Sequence, residues 1–412
     1  MGAQYIEEKY EFKGMAKTIS YILIVIGLIS LAVLTMDMFG DHGEEAHHLA
    51  NGRLWSNLLI NSFFFFGIGL AALFFISIHY AAEVAWSTVL KRMMEAIARY
   101  LRIGMIPLGI VFIAGSLHWH HIYHWMDPDV MDPASEHFDA IIAHKKPFLN
   151  QWTFWIMTIV FIGGYWWFER LFSKRSLQED QEGGLEVHKK NFSASAMFLV
   201  FFGYSSMVGG WLWIMSIDTH WFSTLFGWYI FSGIWISFMT VLTLMVLYLK
   251  RIGHLPYVNT KHIHDLGKWM FGISFLWTYL WFSQYMLIWY ADIPEEVTYY
   301  IPRFFGEYST IFFTMVAMNF LFPMILLMDS ANKVSPFWLT VVGIVIFFGH
   351  WLDTYLLITP AVMKSHFHFG ILEIGLMLGF LGIFMMVVLS ALSKRNLLVK
   401  NNPYLEESLH HH

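Results

Sequence analysis

Cysteine is absent from this chain of 412 residues. That excludes disulfides, thiolate-ligated iron–sulfur clusters, covalently attached c-type haem and thiol catalysis on this polypeptide. Charge is scarce as well, at 13% of residues, where a soluble domain carries about 25%. The net charge of −5 is a weak balance and argues against nucleic acid as a partner. Metal-ligand spacing is missing: the pair His47, His48 and the group His118 to His124 follow no defined ligand pattern. A b-type haem needs two histidines on facing helices at one depth. His118, His121, His350 and His368 are the outer candidates, and His79 stands nearly alone on the inner side.

What fills the chain is apolar sequence. Hydrophobic residues reach 57%, and mean hydropathy is +0.53. Ten apolar runs tile the chain, at 19–36, 54–78, 101–117, 152–168, 196–215, 225–249, 269–289, 309–328, 337–359 and 370–392. Runs of about 20 residues match the ~30 Å hydrocarbon core of a bilayer. Lipid offers no hydrogen bonds to the backbone, so each run must be a helix. The expected fold is an all-α integral membrane protein with ten transmembrane helices. Aromatics make up 19% of the chain, and many suit the interfacial belts of such a protein.

Charge placement sets the orientation. Of the 25 Lys and Arg, all but Arg53, Lys145, Lys146, Arg303 and Lys364 fall on one side of this layout. By the positive-inside rule that side is cytoplasmic, with both termini there. Residues 1–18 form a cytoplasmic segment, 19–392 the membrane domain and 393–412 a cytoplasmic tail. The first run has no small-residue cleavage site and reads as a retained span. His410, His411 and His412 are assigned no function.

A weak internal repeat is visible. Gly209 to His220 and Gly349 to Tyr355 each carry a Trp-Leu pair and an Asp-Thr pair. Spans two to five (about 54–215) and six to nine (about 225–359) then form two four-helix bundles, flanked by spans one and ten. The outer loops are acidic and rich in His. One runs from Asp37 to Arg53 with Asp41, His42, Glu44, Glu45, His47 and His48; the other runs from His118 to Asn150. They are either a solvated face or a docking surface.

An ionisable group at mid-bilayer costs at least ~2.5–3.5 kcal/mol, so each needs a reason. Toward the outer side lie Gln284, His350, Asp353, His368 and Glu373, with His118 at the mouth of span three. His350 and Asp353 are three apart and share a helix face. A carboxylate beside an imidazole is the chemistry of a proton relay; the bland alternative is a satisfied pair that fixes helix packing. Toward the cytoplasmic side lie His79, Glu83, Asn319 and Asp329, with His79 and Glu83 spaced i,i+4. Most of these sit near the headgroups, where snorkelling alone explains them. Ser205, Ser206, Thr240 and Thr243 offer a water chain, although such hydroxyls usually bond back to their own helix. Gly375 and Gly379 have small-xxx-small spacing for close helix contact, and Pro107 and Pro323 are expected to kink their spans.

Several segments resemble a known family. These are Trp211 to Thr224, His264-Asp265-Leu266-Gly267-Lys268, Trp277-Thr278-Tyr279, Phe282-Ser283-Gln284-Tyr285, Ile288-Trp289-Tyr290, Ile293-Pro294-Glu295-Glu296 and Asn402 to Leu409. Together they are similar to one of the paralogous membrane subunits of alternative complex III, the one without the better supported quinol site. That group lies within the NrfD-like polysulfide reductase membrane-subunit family. The resemblance implies a ten-helix subunit of a quinol:electron acceptor oxidoreductase in a bacterial inner membrane. It implies partners: a paralogous quinol-binding membrane subunit, an iron–sulfur subunit and haem-c subunits. It also implies that this chain is cofactor-free and conducts protons. Two alternatives stand beside that reading. In one, the chain oxidises quinol itself at His118, His350 and Asp353; in the other, it is a stand-alone secondary transporter.

Overall fold

The computed structural model describes residues 7–40 and 43–411. Asp41, His42 and His412 lie outside the described residues. Sixteen α-helices follow in order: α1 Gly14–Met38, α2 Glu44–Ala81, α3 Lys91–Ala98, α4 Leu101–Ser116, α5 Ala140–His144, α6 Gln151–Glu182, α7 Glu186–Trp213 and α8 Phe226–Arg251. Then come α9 Thr260–Ala291, α10 Pro294–Val297, α11 Ile301–Phe304, α12 Ser309–Val316, α13 Phe322–Leu327, α14 Pro336–Met363, α15 Ile371–Leu392 and α16 Leu405–Leu409. There is no β-strand among the described residues; a lone bridge joins Lys9 to Asn396.

Helix occupies each of the ten apolar runs, and among the described residues 8 helical segments are long and apolar enough to cross a membrane. The runs at 152–168 and 269–289 fall inside α6 and α9, each 32 residues long, which do not reach that apolarity. Both are rich in Trp and Tyr, whose polar tips lower their hydropathy. The loop expected from Asp37 to Arg53 is largely helix. Glu44 and Glu45 occupy the first turn of α2, where negative charge suits the helix dipole.

α2 is the hub. Its apolar stretch is wholly buried, in keeping with a helix that is hydrophobic all round. It packs on α4 and α7 on one side and on α8 and α14 on the other. α6 packs on α4 and α7; α9 packs on α8 and α13; α12 and α13 pack on α14. α1 and α15 lie against each other and both touch α2. The bridge from Lys9 to Asn396 brings the two ends of the chain to one face, called here the terminal face. The opposite face, where segment 117–150 lies, is the loop face.

The small-residue contact joins α15 to α1. Gly379 sits so close to Gly27 that a Cβ on either would overlap the other's backbone, and Gly375 faces the Ser30 hydroxyl in the same way. Backbone cannot yield as a flexible side chain can. Gly379→Leu is therefore expected to destabilise the protein by at least ~1–3 kcal/mol, read as a lower unfolding midpoint in detergent. An unchanged midpoint would mean that the two helices do not meet this tightly. The two prolines differ. Pro107 lies within continuous α4, whereas Pro323 follows a π-helical turn at Ala317–Leu321 that separates α12 from α13. Proline has no N–H for the ladder, and the wider turn absorbs the loss.

Candidate functional site

Three helices converge on Asp353 of α14, which is 5% exposed. The Tyr229 hydroxyl on α8 donates to Oδ1. The Trp277 indole N–H on α9 donates to Oδ2 at 3.1 Å. His350, one turn back on α14, has Nδ1 3.8 Å from Oδ2, too far for a direct hydrogen bond. Neither His350 ring nitrogen has a hydrogen-bond partner among the described residues. Gly233 on α8 lies alongside, where a Cβ would stand in ordinary contact, 3.7 Å from Asp353 Oδ2, His350 Nδ1 and Trp277. Asp353 thus holds two neutral donors and one waiting imidazole.

On the loop-face side of Asp353 is a cavity of ≈10 Å³ that includes Tyr229, Gln284, Tyr299, Tyr300 and Arg303 in its lining. It has room for about one water. Arg303 is buried. Its guanidinium donates to the Leu356 carbonyl at 2.7 and 3.2 Å and to the Tyr299 carbonyl, and it lies 3.6 Å over the Tyr299 ring. Beyond lies a wide cleft of ≈800 Å³, lined in part by His121, His124, Asp218, His220, Glu307 and Lys364. The α10–α11 segment parts the two spaces. Tyr299 and Arg303 line the small cavity, while Thr298 and Pro302 line the cleft.

On the other side of His350, Asn319 sits in the π-helical turn, fully buried, with both side-chain polar atoms unpartnered among the described residues. It presses on Gly349, where a Cβ would collide with it. Ser274 on α9 and Thr240 on α8 also have unpartnered buried hydroxyls. Buried polar groups normally find partners, so these three side chains carry unspent hydrogen-bonding capacity. Thr243 instead bonds back to the Met239 carbonyl, and Ser205 accepts from Tyr165.

The other predicted residues lie elsewhere. Glu373 does not meet Asp353: it pairs with Arg53 at 2.6 Å and accepts the Gly370 N–H at 2.8 Å, so it closes the first turn of α15. His368 is exposed in the connection before α15, and its carbonyl accepts the Tyr355 hydroxyl. His118 is exposed with φ 57° and stands 3.6 Å from Asp127. The expected pairing of His79 with Glu83 does not form. α2 ends at Ala81, and Glu83 at φ 50° has left the helix face. His79 Nδ1 instead contacts the Phe75 carbonyl at 2.6 Å. Asp329 is exposed and accepts the Ala331 N–H.

The loop face carries ordered histidines. Asp127 takes His121 at 2.9 Å and His124 at 3.0 Å, and Asp139 takes His220 at 2.6 Å. Burial would lift the Asp127 carboxyl, but hydrogen bonds from His124 and His121 hold it below the usual range. The bond to Asp127 raises His124 in turn. Among the described residues, no three His, Asp or Glu side chains are grouped to hold a metal ion.

The terminal face adds a buried ionic cluster that the sequence does not announce. Lys91 pairs with Glu179 at 2.6 Å, and Arg92 pairs with Glu95 at 2.7 Å and with Asp180. Arg395 reaches Glu95 at 2.9 Å, and Arg102 reaches Glu169 at 2.5 Å. Beside it a cavity of ≈30 Å³ is lined by His79, Tyr80, Lys91, His188, Asn402 and other residues. Cations near the ends of spans are expected from topology alone, so their sequence pattern carries no separate signal. Tyr229, Trp277 and Arg303 escape sequence reasoning for a related reason: aromatics and outer cations read as belt and loop residues. Compared with known protein families and with curated proteins, the chain matches none.

Proposed function

We propose that this chain is the proton-conducting, cofactor-free membrane subunit of a bacterial quinol:electron acceptor oxidoreductase. It spans the inner membrane ten times, with two four-helix bundles flanked by spans one and ten and both termini cytoplasmic. Iron–sulfur clusters and haem c belong to partner subunits, and electrons leave quinol through a paralogous membrane subunit. The loop face, with its ordered His and Asp side chains, is the docking side.

The observation that carries this reading is Asp353, a buried carboxylate with neutral donors, beside an imidazole with both nitrogens free. Packing alone does not call for an acid at a site that costs at least ~2.5–3.5 kcal/mol to occupy. A proton arriving past Asn319 reaches His350, passes to Asp353 and leaves through the Gln284 and Arg303 cavity toward the cleft. Arg303, held by the Leu356 carbonyl, lines that exit beside Gln284. A cavity for about one water suits a proton and leaves no place for a quinol ring.

The test is purification of the chain from its native membrane. It is expected to run with iron–sulfur and haem-c polypeptides and with quinol-oxidising activity. A chain that runs alone, without either cofactor, would overturn the assignment.

A further inference from the structure

A second site lies on the outer wall of the helix array, away from Asp353. An apolar groove of ≈490 Å³ opens between α1, α8, α14 and α15, with Ile19, Leu244, Tyr248, Ile344, Phe347 and Phe384 among its lining. Its mouth is open: Ile19 and Ile344 are exposed hydrophobics. The groove begins at the terminal face, at Ala16 on α1 and Ile252 just after α8. It reaches inward to Val241, Phe348 and Leu381. Counted along the helices, those residues lie about 15–18 Å from the ends of α8, α14 and α15. That is the depth of one leaflet of a ~30 Å hydrocarbon core.

The rim adds charge. Lys17 follows Ala16 directly, Arg251 precedes Ile252, and Lys394 comes just after α15. All three are exposed and make no ion pair among the described residues. Nearby Lys13 is neutralised by Glu11 at 2.9 Å. A leaflet-deep apolar slot whose terminal-face end has Lys17 and Arg251 directly next in sequence is complementary to an acyl chain with a phosphate head.

We propose that this groove is a specific site for an anionic glycerophospholipid of the leaflet at the terminal face. One acyl chain fills the slot, and its phosphate meets Lys17 and Arg251. The lipid bridges α1 and α15 to α8 and α14, and so fastens the peripheral helix pair to the helices that carry Tyr229 and Asp353. The inference rests on the membrane-spanning fold and stands apart from the proton reading.

The protein, in whatever complex it is purified, is exchanged into detergent with phosphatidylglycerol or phosphatidylcholine, and bound lipid is counted by native mass spectrometry. One phosphatidylglycerol per chain is expected to persist where phosphatidylcholine washes off. Lys17→Gln and Arg251→Gln are each expected to weaken it by about fivefold. Leu244→Trp, which fills the slot, is expected to abolish it. Ile344→Trp at the rim, where the native side chain is 46% exposed, is a second filling variant should Leu244→Trp fail to fold. Equal retention of the two lipids would overturn the site. So would retention that survives the filling variant, or a map with a protein helix or an isoprenoid chain in the groove.

Discussion

Asp353→Asn is expected to assemble and oxidise quinol while proton release coupled to turnover falls by about 10²-fold or more, the scale of a lost acid–base group. Asn keeps the shape and one oxygen for the Tyr229 hydroxyl. It cannot take a proton. The cost to folding is modest, about 1–3 kcal/mol, because the amide nitrogen then faces the Trp277 N–H and two donors oppose each other. Quinol-driven acidification in proteoliposomes with a pH dye reads the effect, and the unfolding midpoint separates it from instability. His350→Phe tests the same path one step inward, since it removes both free ring nitrogens and keeps an aromatic of similar size. Unchanged proton release in Asp353→Asn would remove this residue from any conducting role, whatever complex the chain belongs to.

Lys91→Met is expected to give the largest loss of stability, about 3–5 kcal/mol, the scale found when one partner of a buried pair is removed. Lys91 and Glu179 have side chains only 9% and 2% exposed, and they meet at 2.6 Å. Met fills much of the volume of Lys, so packing changes little, and the loss comes from a stranded carboxylate. The double variant Lys91→Met, Glu179→Gln is expected to recover most of the stability, because no charge is then left buried alone. A double variant as unstable as Lys91→Met would place the effect in packing. The same pair sets an acid limit. Burial would raise the Glu179 carboxyl, but the Lys91 ammonium together with hydrogen bonds, including that from Asn402, holds it at about 2. A carboxyl depressed in the folded state stabilises fully above its unfolded pKa of roughly 4.3. That stability fades as pH falls from there toward the folded value, so the Lys91→Met penalty is expected to shrink across the same window.

The helical runs are legible because length and apolarity are written locally. Asp353 and His350 are legible because lipid makes every buried ion costly, whatever surrounds it. Their partners are not. Tyr229 lies 124 residues from Asp353 and Trp277 lies 76 away, and each has the look of a belt residue until the helices are packed. Depth alone suggests a relay acid at Glu373. Its true partner, Arg53, is 320 residues distant, and its place in the sequence marks it only as an outer-side charge. Glu83 shows the opposite failure. A spacing of four suggests a shared face only while the helix continues, and α2 stops at Ala81. The π-helical turn around Asn319 is hidden as well, since Pro323 announces a break without saying which way the backbone will widen.

The central place of α2 also constrains biogenesis. Asn61 on α2 donates to the Asn57 carbonyl, and its own side-chain oxygen accepts from the Trp351 indole, 290 residues downstream. At a synthesis rate of about 5–20 residues per second, α2 waits roughly 15–60 s for that helix to emerge. Through that interval an amide oxygen that ends up sealed in protein faces lipid or the insertion machinery. A nascent chain stalled before α14 therefore displays a polar flaw in the helix that ends up most buried, a mark by which quality control can tell an unfinished copy from a finished one.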